Sequence, residues 1–141
     1  MIFSLAACGN DSDKGSTTTG GDGDQVVINF FHRWPSEPRN TFYNEIIAEF
    51  EALHPNVKIN VDKVLNDPYK EKIRVLISNA DLPDIFASWS DSFAENVVSS
   101  GKVKPLNYLF EEDKEWADNI LESQLGAFTF DDSIYGVPLT I

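Results

Sequence analysis

HPNVKINVDKVLNDPYKEKIRVLISNADLPDIFASW, residues 54–89, decides the fold. Val57, Ile59 and Val61 alternate with Lys58, Asn60 and Asp62, which is strand periodicity with one polar face. Asp67-Pro68 reads as an N-cap followed by proline at the first helical position. Tyr69, Ile73, Leu76 and Ile77 then share one helix face. Residues 84–89 (DIFASW) read as the next strand. A strand, a helix and a strand in succession call for a parallel pair joined by a crossover.

The flanks extend the same alternation. Residues 25–31 (QVVINFF) are a short β-branched and aromatic run that suits a buried strand. After a loop holding Pro35 and Pro38, Phe42, Tyr43, Ile46, Ile47, Phe50 and Leu53 recur at helical spacing. That helix ends at His54-Pro55-Asn56, because proline restricts the residue before it. Downstream, Asp91 or Ser92 caps a third helix with Phe93, Val97 and Val98 inward and Gly101 as its stop. Pro105-Leu106 opens a turn, and residues 111–125 read as an acidic helix with Trp116, Ile120 and Leu121 inward. Residues 128–130 and 134–137 flank Asp131-Asp132-Ser133 as a hairpin or two short strands. The order β-α-β-α-β-α-α-β predicts an α/β fold, a mostly parallel sheet flanked by helices. Strands 1 and 3 are expected to be neighbours, in a 2-1-3 order. Ligands of open α/β sheets bind beyond the carboxyl ends of the strands. Here those ends are His32-Arg33-Trp34, Leu65-Asn66-Asp67 and Ser88-Trp89-Ser90-Asp91.

Composition narrows the class. The 141 residues carry 11 Lys and Arg against 23 Asp and Glu, a formal charge of −12. That length suits one small domain, and that charge disfavours phosphate backbones and anionic lipid surfaces, so no nucleic-acid partner is expected. One cysteine makes no intrachain disulfide, and two histidines leave little for a zinc site, so neither metal nor cofactor is expected. There is no G-x-S-x-G and no phosphate loop.

The first 24 residues form a separate unit. Leu5-Ala6-Ala7-Cys8 resembles the lipobox of bacterial lipoproteins, in which the cysteine thiol takes a diacylglyceryl group; the alternative is an ordinary small apolar segment. Residues 9–24 (GNDSDKGSTTTGGDGD) hold five glycines and no apolar side chain. They are expected to act as a disordered tether reaching roughly 20–25 Å. No Lys or Arg precedes Cys8, and the apolar run is shorter than a signal peptide's. Residues 1–8 therefore read as a truncated signal segment.

Four stretches of the globular part, residues 25–141, together resemble a known family. They are INFFHRW, AEFEALHPNVKINV, SNADLPDIFASWSD and SIYGVPLTI, in that order. The chain is similar to the N-terminal lobe of a family 1 extracellular solute-binding protein, the maltose-binding-protein-like group that feeds ABC sugar importers. Ala80 and Ser133 stand where the family usually has glycine. The resemblance implies a partial lobe of a type II periplasmic-binding-protein-like fold, lipid-anchored outside the cell membrane. It implies capture of a solute, a mono- or oligosaccharide, for ABC permease subunits, with hinge closure and no chemistry. Members are much longer, so the chain is expected to be a fragment that folds marginally alone, with an uncovered apolar face.

At the strand ends, Trp34 and Trp89 either stack on the C–H face of a sugar ring or pack as half-buried core residues. Arg33, Asn66 and Asp91 can hydrogen-bond vicinal hydroxyls, or serve as a surface arginine, a turn asparagine and a helix cap. His32 donates to a hydroxyl or is a satisfied structural histidine. Trp116, at helical spacing from Ile120, reads as core. A surface lipoprotein acting as adhesin or sensor partner uses the same lobe without transport. A glycosidase requires two carboxyl groups at fixed separation, and no spacing here puts such a pair at a strand end.

Overall fold

The computed structural model describes residues 25–79 and 81–139; Cys8 and the tether lie outside them. Three parallel strands form the sheet, in the order β2-β1-β3. Strand β1 (Val26–His32) is the centre and pairs along its whole length with β2 (Val57–Lys63), Val26 opposite Val57 and His32 opposite Lys63. Its other edge meets β3 (Ile85–Phe86) through Phe30 opposite Ile85 and Phe31 opposite Phe86. Side chains alternate across a strand, so Phe30 and His32 face one layer and Phe31 the other. Helix α1 (Arg39–Leu53) covers the first face, where the Tyr43 ring lies 5.9 Å from Phe30 and 4.9 Å from His32. Helix α2 (Asn66–Asn79) covers the second, where Tyr69 lies 4.3 Å from Phe31.

The core is on the α2 side. Phe31, Tyr69 and Ile73 are buried together, and Leu76, Leu82, Phe86 and Trp89 pack around them. The Tyr69 hydroxyl donates to the Ala87 carbonyl at 2.6 Å, with the Phe31 carbonyl at 3.4 Å, so the buried phenol meets its hydrogen-bond requirement while tying α2 to β1 and β3. Burial pushes the Tyr69 pKa up and keeps the phenol protonated. The face of α1 behaves differently: Phe42, Ile46, Phe50 and Leu53 are all exposed, and none of its residues is buried.

Side chains replace ladder bonds at the sheet margins. Glu51 on α1 accepts from the Ile59 N–H at 2.7 Å and the Lys58 ammonium at 2.8 Å, satisfying an edge donor of β2. Asp84 Oδ2 accepts from the Asn29 N–H at 2.7 Å and from its side-chain amide at 3.1 Å. That carboxylate stands where a longer β3 would continue the ladder. The strand expected over 84–89 is two residues long: Asp84 bonds Asn29 through its side chain at one end, and Ala87 N–H to Phe31 carbonyl is the last bond to β1 at the other.

Three further expectations need correction. Asp67 does not cap α2: the helix begins at Asn66, and Asp67 sits in its first turn. Asp91 precedes helix α3 (Ser92–Ser99), yet its side chain makes no cap bond; the carboxylate accepts from Ser90 Oγ instead. Its φ of 60° and ψ of −136° are outside the regions open to most L-residues, and such a position costs about 1–3 kcal/mol. The helix expected over 111–125 is broken into α4 (Asn107–Glu112), α5 (Lys114–Ala117) and α6 (Glu122–Leu125), followed by a 3-10 turn, Gly126–Phe128. The break is local competition: Asp113 accepts from the Trp116 N–H at 2.9 Å, restarting the helix one residue after α4 ends. Trp116 is half-buried against Phe110, and Leu121, expected inward, is 61% exposed.

The last elements agree with the hairpin reading. Strand β4 (Thr129–Phe130) pairs antiparallel with β5 (Ser133–Ile134). Both residues of the connecting turn, Asp131 and Asp132, have positive φ, as primed hairpin turns require. Asn107 clamps this hairpin, accepting from the Ile134 N–H at 2.9 Å and donating to the Asp132 carbonyl at 3.2 Å. Gly101, with φ +68°, ends the α3 segment as expected.

Candidate functional site

Because the three strands are parallel, the segments leaving β1, β2 and β3 emerge at one end of the sheet. Arg33 organises that end. Its guanidinium lies 5.1 Å from the Trp34 ring and 4.9 Å from the Trp89 ring, and its Nη1 donates to Asn66 Oδ1 at 2.8 Å. Four of the candidate residues, one pair after β1 and one residue after each neighbouring strand, thus form a connected group. Guanidinium over indole is favourable through the ring quadrupole, by roughly 0.5–2 kcal/mol depending on solvation.

Each tryptophan has its own support. Trp34 stacks with Tyr43 at 5.6 Å and 19° and continues a column through His32, with Arg39 5.6 Å from its centre. Trp89 is held edge-on by Tyr69 at 5.7 Å and Phe93 at 5.0 Å, with the Lys70 ammonium 5.6 Å away. Both are half-buried. Tyr43, Arg39 and Lys70 were not evident in the sequence as site residues. They reach the rim from α1 and α2, and only Arg39's closeness to the Pro35–Pro38 loop hinted at its position.

His32 lies beneath the rim, 1% exposed, and its Nδ1 accepts from the Trp34 N–H at 3.2 Å. Asp91 is exposed at the start of α3, and no hydrogen bond joins it to the Arg33 group. An open groove of about 270 Å³ runs beside the rim, lined by Arg33, Trp34, Pro35, Arg39, Leu65 and Asn66. A second hollow, of about 320 Å³, lies between the sheet and α2 away from the strand ends. Of its polar groups, Asn29 bonds Asp84 and Lys72 bonds Asp62. No cluster of three or more metal-ligating side chains occurs among the described residues.

The His32 bond makes a pH prediction. Only neutral imidazole accepts at Nδ1. Burial first, and the Lys63 charge second, hold the His32 pKa below its ordinary 6.5, with Asp62 opposing. The unfolded chain then takes up this proton before the folded one. The stability His32 contributes is complete above about pH 6.5 and is lost as pH falls through the lower folded value. Melting temperature is expected to fall with acidification more steeply in the natural protein than in His32→Gln. Parallel curves would show that another group titrates.

Against known proteins, a family model described as bacterial extracellular solute-binding protein matches residues 34–140. A solved structure from work on xylan utilization by Caldanaerobius polysaccharolyticus is similar at 32% identity, with a TM-score of 0.74 over 80% of this chain. The ABC substrate-binding protein of Listeria monocytogenes in complex with cycloalternan is similar at 25% identity, TM-score 0.66, over 80% of this chain. The maltotriose binding protein of Thermus thermophilus shares the fold at 17% identity, TM-score 0.65, over 79%. This chain covers 28% of the length of each of these. No curated protein matches it.

Proposed function

This chain belongs to the bacterial extracellular solute-binding protein family, and we propose that its strand-end rim is one wall of a carbohydrate-binding cleft. The ligand is a mono- or oligosaccharide, captured outside the membrane and passed to the permease of an ABC importer. The observation that supports this most is the Trp34–Arg33–Trp89 group with Asn66 at the shared carboxyl ends of β1, β2 and β3. Its aromatic faces suit sugar C–H faces, and its amide and guanidinium suit hydroxyl pairs. The solved relatives named for cycloalternan and maltotriose point the same way.

Capture of this kind makes and breaks no covalent bond. A second lobe closing over the rim removes water from the polar contacts and presents one shape to the permease. Asp91, two residues after Trp89 at the start of α3, joins the ligand in this reading when closure brings sugar over that helix. Lipidation of Cys8 followed by the 9–24 tether holds the protein at the outer face of the membrane. Fatty-acid labelling of a form extended upstream to a full signal peptide, lost in Cys8→Ala, supports that anchor, and equal labelling in both refutes it.

The binding experiment is a titration of the full chain with neutral xylo-, manno- and malto-oligosaccharides, read by calorimetry and tryptophan fluorescence. Saturable heat with a shift in indole emission is the expected result for at least one series. Absence of binding across the neutral series and across the acidic sugars described below overturns the carbohydrate reading.

A further inference from the structure

The basic residues at the rim are unusual for so acidic a chain. Arg33, Arg39, Lys63 and Lys70, from 11 Lys and Arg in a chain of charge −12, gather at the strand-end side of the sheet. Among the described residues Arg33, Arg39 and Lys63 pair with no carboxylate, nor do Lys102, Lys104 and Lys114 later in the chain, whereas Lys58, Lys72 and Arg74 do. Lys70 reaches only the distant, exposed Asp67, at 4.0 Å. Arg33 is the sharpest case. It is half-buried, its one side-chain hydrogen bond goes to a neutral amide, and its Nε is wholly buried without an acceptor.

A desolvated guanidinium normally has a carboxylate partner, since its charge is otherwise uncompensated. The acid closest in sequence, Glu37, lines the same groove but is committed elsewhere. Its carboxylate accepts from Thr41 Oγ1 at 2.6 Å, the Thr41 N–H at 3.1 Å and Asn40 Nδ2 at 2.8 Å. These bonds hold its pKa below the usual carboxylate range. Lys63 meets Asn40 from the other side of the same amide. The one acid lining the groove is thus tied into the start of α1, and among the described residues the two groove arginines keep their charge unpaired.

We infer that the groove formed by Arg33, Arg39, Trp34 and Asn66 selects acidic saccharides, sugars bearing a carboxylate, over neutral ones. This rests on the carbohydrate reading of the rim and specifies its substrate class. The planar guanidinium matches a carboxylate in geometry as well as charge. Trp34 offers the ring stack beside it, and Asn66 offers the hydroxyl contacts. Within the groove Glu37 is the one lining carboxylate, so the two guanidiniums outweigh it locally although the chain as a whole stands at −12.

The test uses the full chain with di- and trisaccharides of glucuronic and galacturonic acid, each beside its methyl ester, which keeps the ring and removes the charge. At least one acid is expected to bind about tenfold or more tighter than its ester and than the neutral series. The advantage should shrink as salt is raised. Arg39→Gln should cut the acid-to-ester ratio severalfold, while Lys58→Gln, remote from the rim, leaves it unchanged. Neutral sugars binding as tightly as every acid overturns this inference and leaves the carbohydrate reading standing. Binding by neither class overturns both. An acid preference that survives Arg39→Gln and the double variant Arg33→Met/Arg39→Gln places the selection elsewhere and refutes the assignment to this groove.

Discussion

Replacing Ile73 with alanine is expected to destabilise the protein by about 2–5 kcal/mol, the range for a buried branched side chain whose cavity closes incompletely. Ile73 has no solvent exposure and sits in the small cluster with Phe31 and Tyr69 against which Leu76, Leu82 and Phe86 pack. Those neighbours come from α2, β1, β3 and the loop between α2 and β3, so collapse around a void has to move several elements at once. Val75, two residues on, is 56% exposed on the opposite side of the same helix. Val75→Ala is expected to change stability by no more than about 0.5 kcal/mol. Chemical denaturation of the full chain separates the two. Equal effects would mean that α2 presents a different face to the sheet.

That face was readable because one physical rule sets it. Tyr69, Ile73, Leu76 and Ile77 recur at helical spacing, and burial of a single stripe is what makes α2 a helix worth forming. VKINVDK alternates with period two, and the strand alternates in burial in the same rhythm. The parallel crossover follows from these neighbouring elements, whereas period and alternation leave the strand order open. The failures have equally specific causes. Asp84 drops out of β3 because its side chain takes the Asn29 donors, a contact across 55 residues that no window of sequence displays. The acidic helix breaks because Asp113 prefers to cap, and a capping side chain competes with helix continuation on terms too close for composition to settle. α1 carries an apolar stripe of the right period, but period says only that a face is available for burial, not what covers it.

The site divides along the same line. Strand ends located Trp34, Asn66 and Trp89, since the carboxyl edge of a parallel sheet is a topological position. The link between them is not topological. Arg33 spans two indoles and an amide through a long flexible side chain, and rotamer choice among such contacts is set by the assembled surroundings. The reading of His32 as structural or ligand-facing likewise turned on one bond, from the Trp34 N–H to Nδ1, which ties it to the support of the rim.

The three tryptophans are expected to separate by what each one touches. Trp34 packs on Tyr43 and His32 at the groove and is absent from the buried cluster. Trp34→Ala should weaken saccharide binding by about 1–3 kcal/mol, from the apolar area it offers a ring. Its effect on stability should stay near 1 kcal/mol, the scale of the lost aromatic pairs. Trp89 packs directly on that cluster, against Tyr69 and Phe93, as well as under Arg33. Trp89→Ala should therefore lower both quantities, with a stability loss of about 2–3 kcal/mol, short of the 3–5 typical of a fully buried tryptophan. Trp116 is half-buried against Phe110 and is not among the rings that contact Arg33, so Trp116→Ala should cost about 1–2 kcal/mol of stability and leave affinity alone. Each variant is read twice, by denaturant midpoint and by calorimetric affinity for a saccharide that binds the natural protein. A Trp89→Ala protein with unchanged stability and lost affinity would remove Trp89 from the core and make it a pure ligand contact. One with lost stability and intact affinity would do the opposite, leaving Trp34 and Arg33 alone to carry the binding wall.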